Sequence, residues 1–286
     1  MKLQNIISEI EKTDAEVFDK LSDRRSAMKQ FSGFATKVAL ASLPLALGSM
    51  FKKAYGQTPS GIIDVLNFAL TLEYLESEFY KQGVAAPGLI PVGTPAVTAL
   101  TKIRNDEVAH VAFLRTAITA SGGTPVTFTA ANFDFTAGGA FPTVFTDYDV
   151  FLAVAQTFED TGVRAYKGQA ANLISSNDVL TAALQIHSVE ARHAAHLRYM
   201  RKARQTANPG NPLYTGDIKP WITLAQSNIG TPAVQASYAG EELTTQAGVD
   251  ILTVGGATFS AEAASESFDE PLTTAQVLAI VDPFIV

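Results

Sequence analysis

The chain has 286 residues, of which 47% are apolar and 17% are charged. This composition supports a large buried core, in one domain or one domain with extensions, and argues against global disorder. The net charge of −7 argues against a nucleic-acid partner, because binding phosphates requires a basic surface. The sequence contains no cysteine. Disulfides, cysteine-ligated zinc and thiol catalysis are therefore excluded, and a metal site would have to use histidine and carboxylate ligands.

The N-terminal segment, residues 1–56, has the order of features expected of an export signal. Arg24 and Arg25 precede an apolar stretch, residues 34–50, and residues 54–56 then offer small side chains at the −3 and −1 positions of a cleavage site. The arginine pair resembles a twin-arginine signal. We therefore expect a periplasmic or exported protein, or a cytoplasmic one if the segment is not cleaved. Since the apolar stretch is short and interrupted, we expect no stable membrane span.

The middle of the chain, residues 57–207, predicts four helices. Apolar residues recur there at the 3.6-residue spacing of a helix, and each apolar stripe contains an acidic residue. The predicted helices run from about 58 to 83, from 94 to 121, from 147 to 172 and from 176 to 207. The first two and the last two are joined by short connections, whereas residues 122–146 form a long one. This order is typical of an all-α four-helix bundle with one long crossover.

The two halves of this predicted bundle repeat one motif. In each half a glutamate is followed seven residues later by a tyrosine, and the next helix carries Glu-x-x-His. The members are Glu73, Tyr80, Glu107 and His110 in the first half, and Glu159, Tyr166, Glu190 and His193 in the second. Because residues i and i+3 project from the same side of a helix, each Glu-x-x-His pair can offer a carboxylate oxygen and an imidazole nitrogen to one small volume.

Four glutamates and two histidines form the ligand set of di-iron and di-manganese carboxylate bundles. Without cations, four buried carboxylates would repel one another and would be costly to desolvate. Two divalent cations balance their four negative charges, and both iron and manganese accept oxygen and imidazole ligands. The sequence therefore predicts two divalent metal ions, iron or manganese, bound by Glu73, Glu107, His110, Glu159, Glu190 and His193.

Asp106 is predicted to support one of the histidines. It lies four residues before His110, so its carboxylate could bind the ring nitrogen that faces away from the metal. A solvent-exposed helix residue is the alternative interpretation. The equivalent position before His193 is Val189, so the two halves of the site are expected to differ.

Other polar residues of the bundle have less specific interpretations. Glu76 lies one turn after Glu73 and is the alternative ligand at that position. Tyr80 and Tyr166 are interpreted either as residues beside the metal site or as ordinary core tyrosines. The basic run within residues 192–204 is interpreted as favourable charge near a helix C-terminus.

The segment LNFALTLEYLE, residues 66–76, is similar to a bacterial ferritin-like group that also includes plant desiccation-related proteins. Residues 58–207 as a whole resemble the ferritin-like superfamily, which implies a ferritin-like bundle. The resemblance also implies a role for each ligand: Glu107 and Glu190 bridge the metals, Glu73 and Glu159 are terminal carboxylates, and His110 and His193 each cap one metal.

Two metals about 3.5–4 Å apart can bind dioxygen or peroxide and change oxidation state. The first hypothesis is therefore an oxidoreductase, ferroxidase-like or catalase-like, that acts on one of these small substrates in defence against oxidative stress. The alternative is a non-enzymatic stress or desiccation-related protein with structural metals. An enzyme needs an accessible coordination position, whereas a structural site is closed by protein. The sequence leaves a homo-oligomer open.

The C-terminal extension, residues 208–286, lacks long periodic helices. We expect it to pack on the bundle, with Trp221 and Tyr238 attaching it and a short helix over residues 273–281. It could cover the metal site as a lid or form an interface between subunits.

Overall fold

The computed structural model describes residues 60–246 and 248–286. The predicted export segment, residues 1–56, lies outside the described residues. The bundle consists of α1 (Ser60–Ala85), α2 (Pro95–Ala120), α3 (Tyr148–Gln169) and α4 (Asn177–Ala207). α1 packs against α2 and α3 against α4, while α1 also contacts α3 and α2 contacts α4. The predicted all-α bundle is confirmed. No helix in the described part of the chain combines the length and the apolar character needed to cross a bilayer.

Local signals set the helix ends close to the predicted positions. Pro95 opens α2, where its missing N–H is not needed. Asp147 caps α3, because its carboxylate accepts hydrogen bonds from the N–H groups of Asp149 and Val150 at 2.9 and 3.3 Å. α3 ends three residues earlier than predicted and continues as a 3-10 helix, Ala170–Leu173.

The long crossover between α2 and α3 is held by aromatic side chains. Phe135 of the crossover packs edge-on against Phe79 of α1 at 5.4 Å between ring centroids. Phe79 also stacks on Phe151 of α3 at 4.8 Å. Burial of these rings supplies the stabilisation that orders so long a connection.

The C-terminal extension has little regular structure. It contains a two-stranded antiparallel hairpin, β1 (Thr245–Gln246) and β2 (Val249–Asp250), and two short helices, α5 (Ala261–Ser265) and α6 (Thr274–Val281). α6 confirms the predicted short helix. The two aromatic residues expected to attach the extension differ. Tyr238 is fully buried, and its hydroxyl donates to Asp160 of α3 at 2.8 Å. Trp221 is 48% exposed, and its backbone carbonyl accepts from Arg198 of α4 at 3.5 Å.

The extension covers the outer side of α3, which is buried along almost its whole length. Arg164 of α3 donates to the carbonyls of Ser237 and Glu270 at 2.6 and 2.8 Å. At Gly168 the backbone of Leu272 comes so close that a Cβ would lie 1.9 Å from its carbonyl oxygen. Only glycine fits at that position, so the extension packs directly against the backbone of α3.

Candidate metal centre

The structure brings the six predicted ligands together in the middle of the bundle. Glu73 comes from α1, Glu107 and His110 from α2, Glu159 from α3, and Glu190 and His193 from α4. They form two groups of four whose potential ligand atoms lie within 4.8 Å of one another: Glu73, Glu107, His110 and Glu190, and Glu107, Glu159, Glu190 and His193. Glu107 and Glu190 belong to both groups, as the bridging role implied by the resemblance requires. The individual roles stay predictions.

Both histidines turn the same ring nitrogen, Nδ1, toward the carboxylates. Nδ1 of His110 lies 3.1 Å from Glu73 and 3.0 Å from Glu107. Nδ1 of His193 lies 2.9 Å from Glu107 and 3.2 Å from Glu159. Each Glu-x-x-His pair thus directs both side chains to one point, as the helical spacing predicts.

The centre contains buried polar atoms without a hydrogen bond of acceptable geometry to any described residue. They are Oε1 of Glu107, Oε2 of Glu159, both carboxylate oxygens of Glu190 and Nδ1 of His193. Several of them lie about one hydrogen-bond length from another polar atom, but the orientation is wrong for a hydrogen bond. Buried unpaired polar atoms are rare and costly. Cations between the carboxylates would satisfy them, and the residues present therefore fit a metal cluster.

The pKa values of the centre also fit a cluster of bound cations. Burial and repulsion from Glu190 raise the pKa of Glu107 to about 8. Burial lowers the pKa of His193, but the attraction of Glu159 and other neighbouring groups outweighs burial and raises that pKa to about 12. Without cations the cluster therefore holds extra protons, which divalent ions would displace.

The two tyrosines bind the carboxylate of the opposite half of the motif. The hydroxyl of Tyr80 on α1 donates to Oε1 of Glu159 on α3 at 2.5 Å, and that of Tyr166 on α3 donates to Oε1 of Glu73 on α1. Seven residues of helix span about 10 Å, so neither tyrosine can reach the glutamate of its own helix. Both tyrosines therefore lie beside the predicted ligands.

Asp106 supports a different histidine from the one expected. Its carboxylate lies 3.3 Å from Nε2 of His193 on α4, not at His110 on its own helix. Asp106 projects toward α4, and the ring of His110 turns inward through Nδ1. Partial burial opposes ionisation, but hydrogen bonds from His193 and Lys102 lower the pKa of Asp106 to about 2. The two halves of the site do differ, because Val189, at the position equivalent to Asp106, has no carboxylate to bind the ring of His110.

An open cleft between α2 and α4 leads to this side of the centre. The α2–α4 cleft has a volume of about 740 Å³, and both Asp106 and His193 are among its lining residues. Lys102, Arg192 and His196 also line it. One predicted ligand is therefore reached from an open depression of the surface.

Two of the basic residues near the end of α4 lie in the interior of the protein. Arg198 and Arg201 are buried, and their interpretation as helix-end charges is wrong. Arg198 donates to Asp160 at 2.5 Å, and Arg201 donates to Gln156 at 2.5 Å. Arg201 follows the buried Leu197 by four residues, and Arg198 follows the buried Ala194 by four residues. Each arginine therefore continues a buried face of the helix, a signal that was available in the sequence.

Glu76 is a further buried acid near the centre. It is 3% exposed and belongs to neither group of potential ligands, so the sequence-based preference for Glu73 agrees with the geometry. Burial and repulsion from Glu190 raise the pKa of Glu76 well above its usual range.

The sequence model of the family described as "Ferritin-like domain" matches residues 61–203, half of the chain. All six predicted ligands lie within the matched range. A search among curated proteins found no significant match.

Proposed function

The chain belongs to the ferritin-like domain family, and we propose that it is a dinuclear iron or manganese carboxylate protein with a redox function on dioxygen or peroxide. The observation that carries the proposal is the set of buried, unpaired ligand atoms on Glu107, Glu159, Glu190 and His193. Without cations, folding leaves these atoms without hydrogen-bond partners and loads the cluster with extra protons, both of which bound cations would remove. The predicted ligands are Glu73, Glu107, His110, Glu159, Glu190 and His193.

Bound iron or manganese would supply a change of oxidation state and a coordination position for a small oxygen species. The chain's own residues orient the ligands. Tyr80 and Tyr166 each donate a hydrogen bond to one carboxylate, which leaves the other oxygen of that carboxylate for a metal. Asp106 accepts from Nε2 of His193 and so fixes the tautomer in which Nδ1 is free to bind.

Access favours an enzyme over a protein with purely structural metals. A structural site is closed by its protein ligands, whereas the α2–α4 cleft reaches His193 and Asp106. Its basic residues, Lys102 and Arg192, lie on a chain of net charge −7, so the cleft is less acidic than the protein as a whole.

The test is turnover by the loaded protein. The purified chain is loaded anaerobically with Fe(II) or Mn(II), and the consumption of dioxygen and of peroxide is followed for each metal. We expect one combination to turn over repeatedly, and to be lost in Glu107→Gln/Glu190→Gln. A loaded protein that consumes neither substrate would support structural metals instead.

We also propose export through the twin-arginine-like segment. Replacing Arg24 and Arg25 by lysine should retain the protein in the cytoplasm, as measured by cell fractionation. Equal periplasmic amounts of the variant and the unchanged chain would contradict this route.

A further inference from the structure

Gly162 lies in the interior of α3, where glycine is disfavoured. A Cβ at this position would lie 3.2 Å from Oε1 of Glu76 and 3.6 Å from Oε2 of Glu190. The absence of a side chain therefore keeps a gap open between these two carboxylates. One of them, Glu190, belongs to both groups of potential metal ligands.

Gly162 and Glu76 also line a cavity of about 10 Å³, roughly the space that one water molecule needs. Its walls are largely apolar and include Leu72, Phe158 and Val281. The hydroxyl of Thr161, which also lines it, is already bound to the carbonyl of Thr157 at 2.7 Å.

Glu76 is the polar group left facing this cavity. Its side chain is 3% exposed, and among the described residues none forms a hydrogen bond with it. A buried carboxyl group without a hydrogen-bond partner is costly. A bound small molecule would supply the hydrogen bond that no described residue gives to Glu76. The apolar walls leave room for a very small molecule only.

We propose that the gap over Gly162 is the binding position of the small oxygen ligand of the metal centre (water, dioxygen or peroxide) and that Glu76 hydrogen-bonds that ligand. The inference rests on the proposed function and narrows it, because a cavity of this size rejects organic substrates. Val281, which lines the adjoining cavity, comes from α6 of the C-terminal extension, so the extension helps to limit the space beside the position.

Nitric oxide, a diatomic analogue of dioxygen, tests the position in the Fe(II)-loaded protein. Its dissociation constant is measured anaerobically from the absorption bands of the iron nitrosyl, after the iron content of each variant has been determined. Gly162→Ala should bind the same amount of iron but bind nitric oxide about tenfold more weakly or worse, equivalent to about 1.4 kcal/mol. Gly61→Ala is the matched control, because this helical glycine has nothing within 4 Å of a new Cβ.

Glu76 is tested in the same assay. Glu76→Leu should retain iron and weaken nitric oxide binding, whereas Glu76→Gln, which keeps a hydrogen-bonding group, should restore most of the affinity. Glu78→Gln, on the same helix and paired with Lys81 at 2.7 Å, is the control. Unchanged affinity in both Gly162→Ala and Glu76→Leu at full iron content would overturn the inference and leave the proposed function intact. A chain that binds no iron would overturn both.

Discussion

The hydroxyl of Tyr80 lies 2.5 Å from Oε1 of Glu159, on a helix from the other half of the repeated motif. The equivalent contact joins Tyr166 to Glu73. Each half of the bundle therefore positions a predicted metal ligand of the other half, and the two helical hairpins are coupled through the centre as well as through their apolar core.

Tyr80→Phe tests this coupling. The variant leaves the Glu159 carboxylate without its buried donor, which should lower the free energy of unfolding by about 1–3 kcal/mol. Chemical denaturation measures the change, with Tyr199→Phe as the control because Tyr199 is 68% exposed. Equal stability of the two variants would contradict a contribution from the Tyr80–Glu159 hydrogen bond.

Asp106→Asn should weaken metal binding at the His193 side of the centre. The variant removes the carboxylate that holds Nε2 of His193, and losses of this kind reduce metal affinity by about 10–100-fold. Competition with a chelator should show one metal leaving earlier than in the unchanged protein. The control is Asp64→Asn, at an exposed position of α1. Unchanged affinity, with both metals leaving together, would contradict the pairing of Asp106 with His193.

The metal-free protein should lose stability as the pH rises from 5 to 8. The pKa of Glu107 is raised from 4.5 to about 8, so the folded chain holds this proton more tightly than the unfolded chain. Its contribution is complete below pH 4.5 and is lost as the pH passes through 8. The raised pKa of His193, from 6.5 to about 12, acts in the same direction. Asp106, with a pKa of about 2, stays ionised over the whole range.

Thermal unfolding at pH 5, 6.5 and 8 measures this dependence. We expect the metal-free form to lose on the order of 5 kcal/mol over the range, and the loaded form to change less, because metals replace the protons. A metal-free form that gains stability toward pH 8 would contradict the protonation scheme.

Removing one member of the buried pair Arg198 and Asp160 should destabilise the fold more than removing both members together. Arg198→Leu leaves Asp160 as an unpaired buried charge, which costs about 3–5 kcal/mol. Arg198→Leu/Asp160→Leu should recover much of this loss, and exposed Arg192→Leu should have little effect. Denaturation of the three variants measures the differences, and a double variant no more stable than Arg198→Leu would contradict the explanation.

Much of the fold could be predicted because its signals are local. The 3.6-residue stripes and the turn residues define four helices, and the repeated Glu-x-x-His spacing selects the residues that converge. What failed depended on the relative rotation of the helices. Asp106 is within reach of His110 along α2, but only the packed bundle reveals that His193 is its partner.

The contribution of the extension could not be predicted for a similar reason. Arg198 and Arg201 resemble helix-end charges until irregular chain covers α3 and α4 and buries them. Nor does the sequence distinguish Tyr238, which is buried, from Trp221, which is half exposed, since both are isolated aromatic residues between turns.

Metal content is the most direct test of the dinuclear centre. Elemental analysis of the chain purified without added metal, and again after anaerobic loading with Fe(II) or Mn(II), is compared with that of Glu107→Gln/Glu190→Gln. Glu262→Gln, at an exposed position of α5, is the control. We expect two iron or manganese ions per chain in the unchanged protein and in the control, and loss of both in the double variant. A folded chain that takes up no metal even after loading would contradict the account.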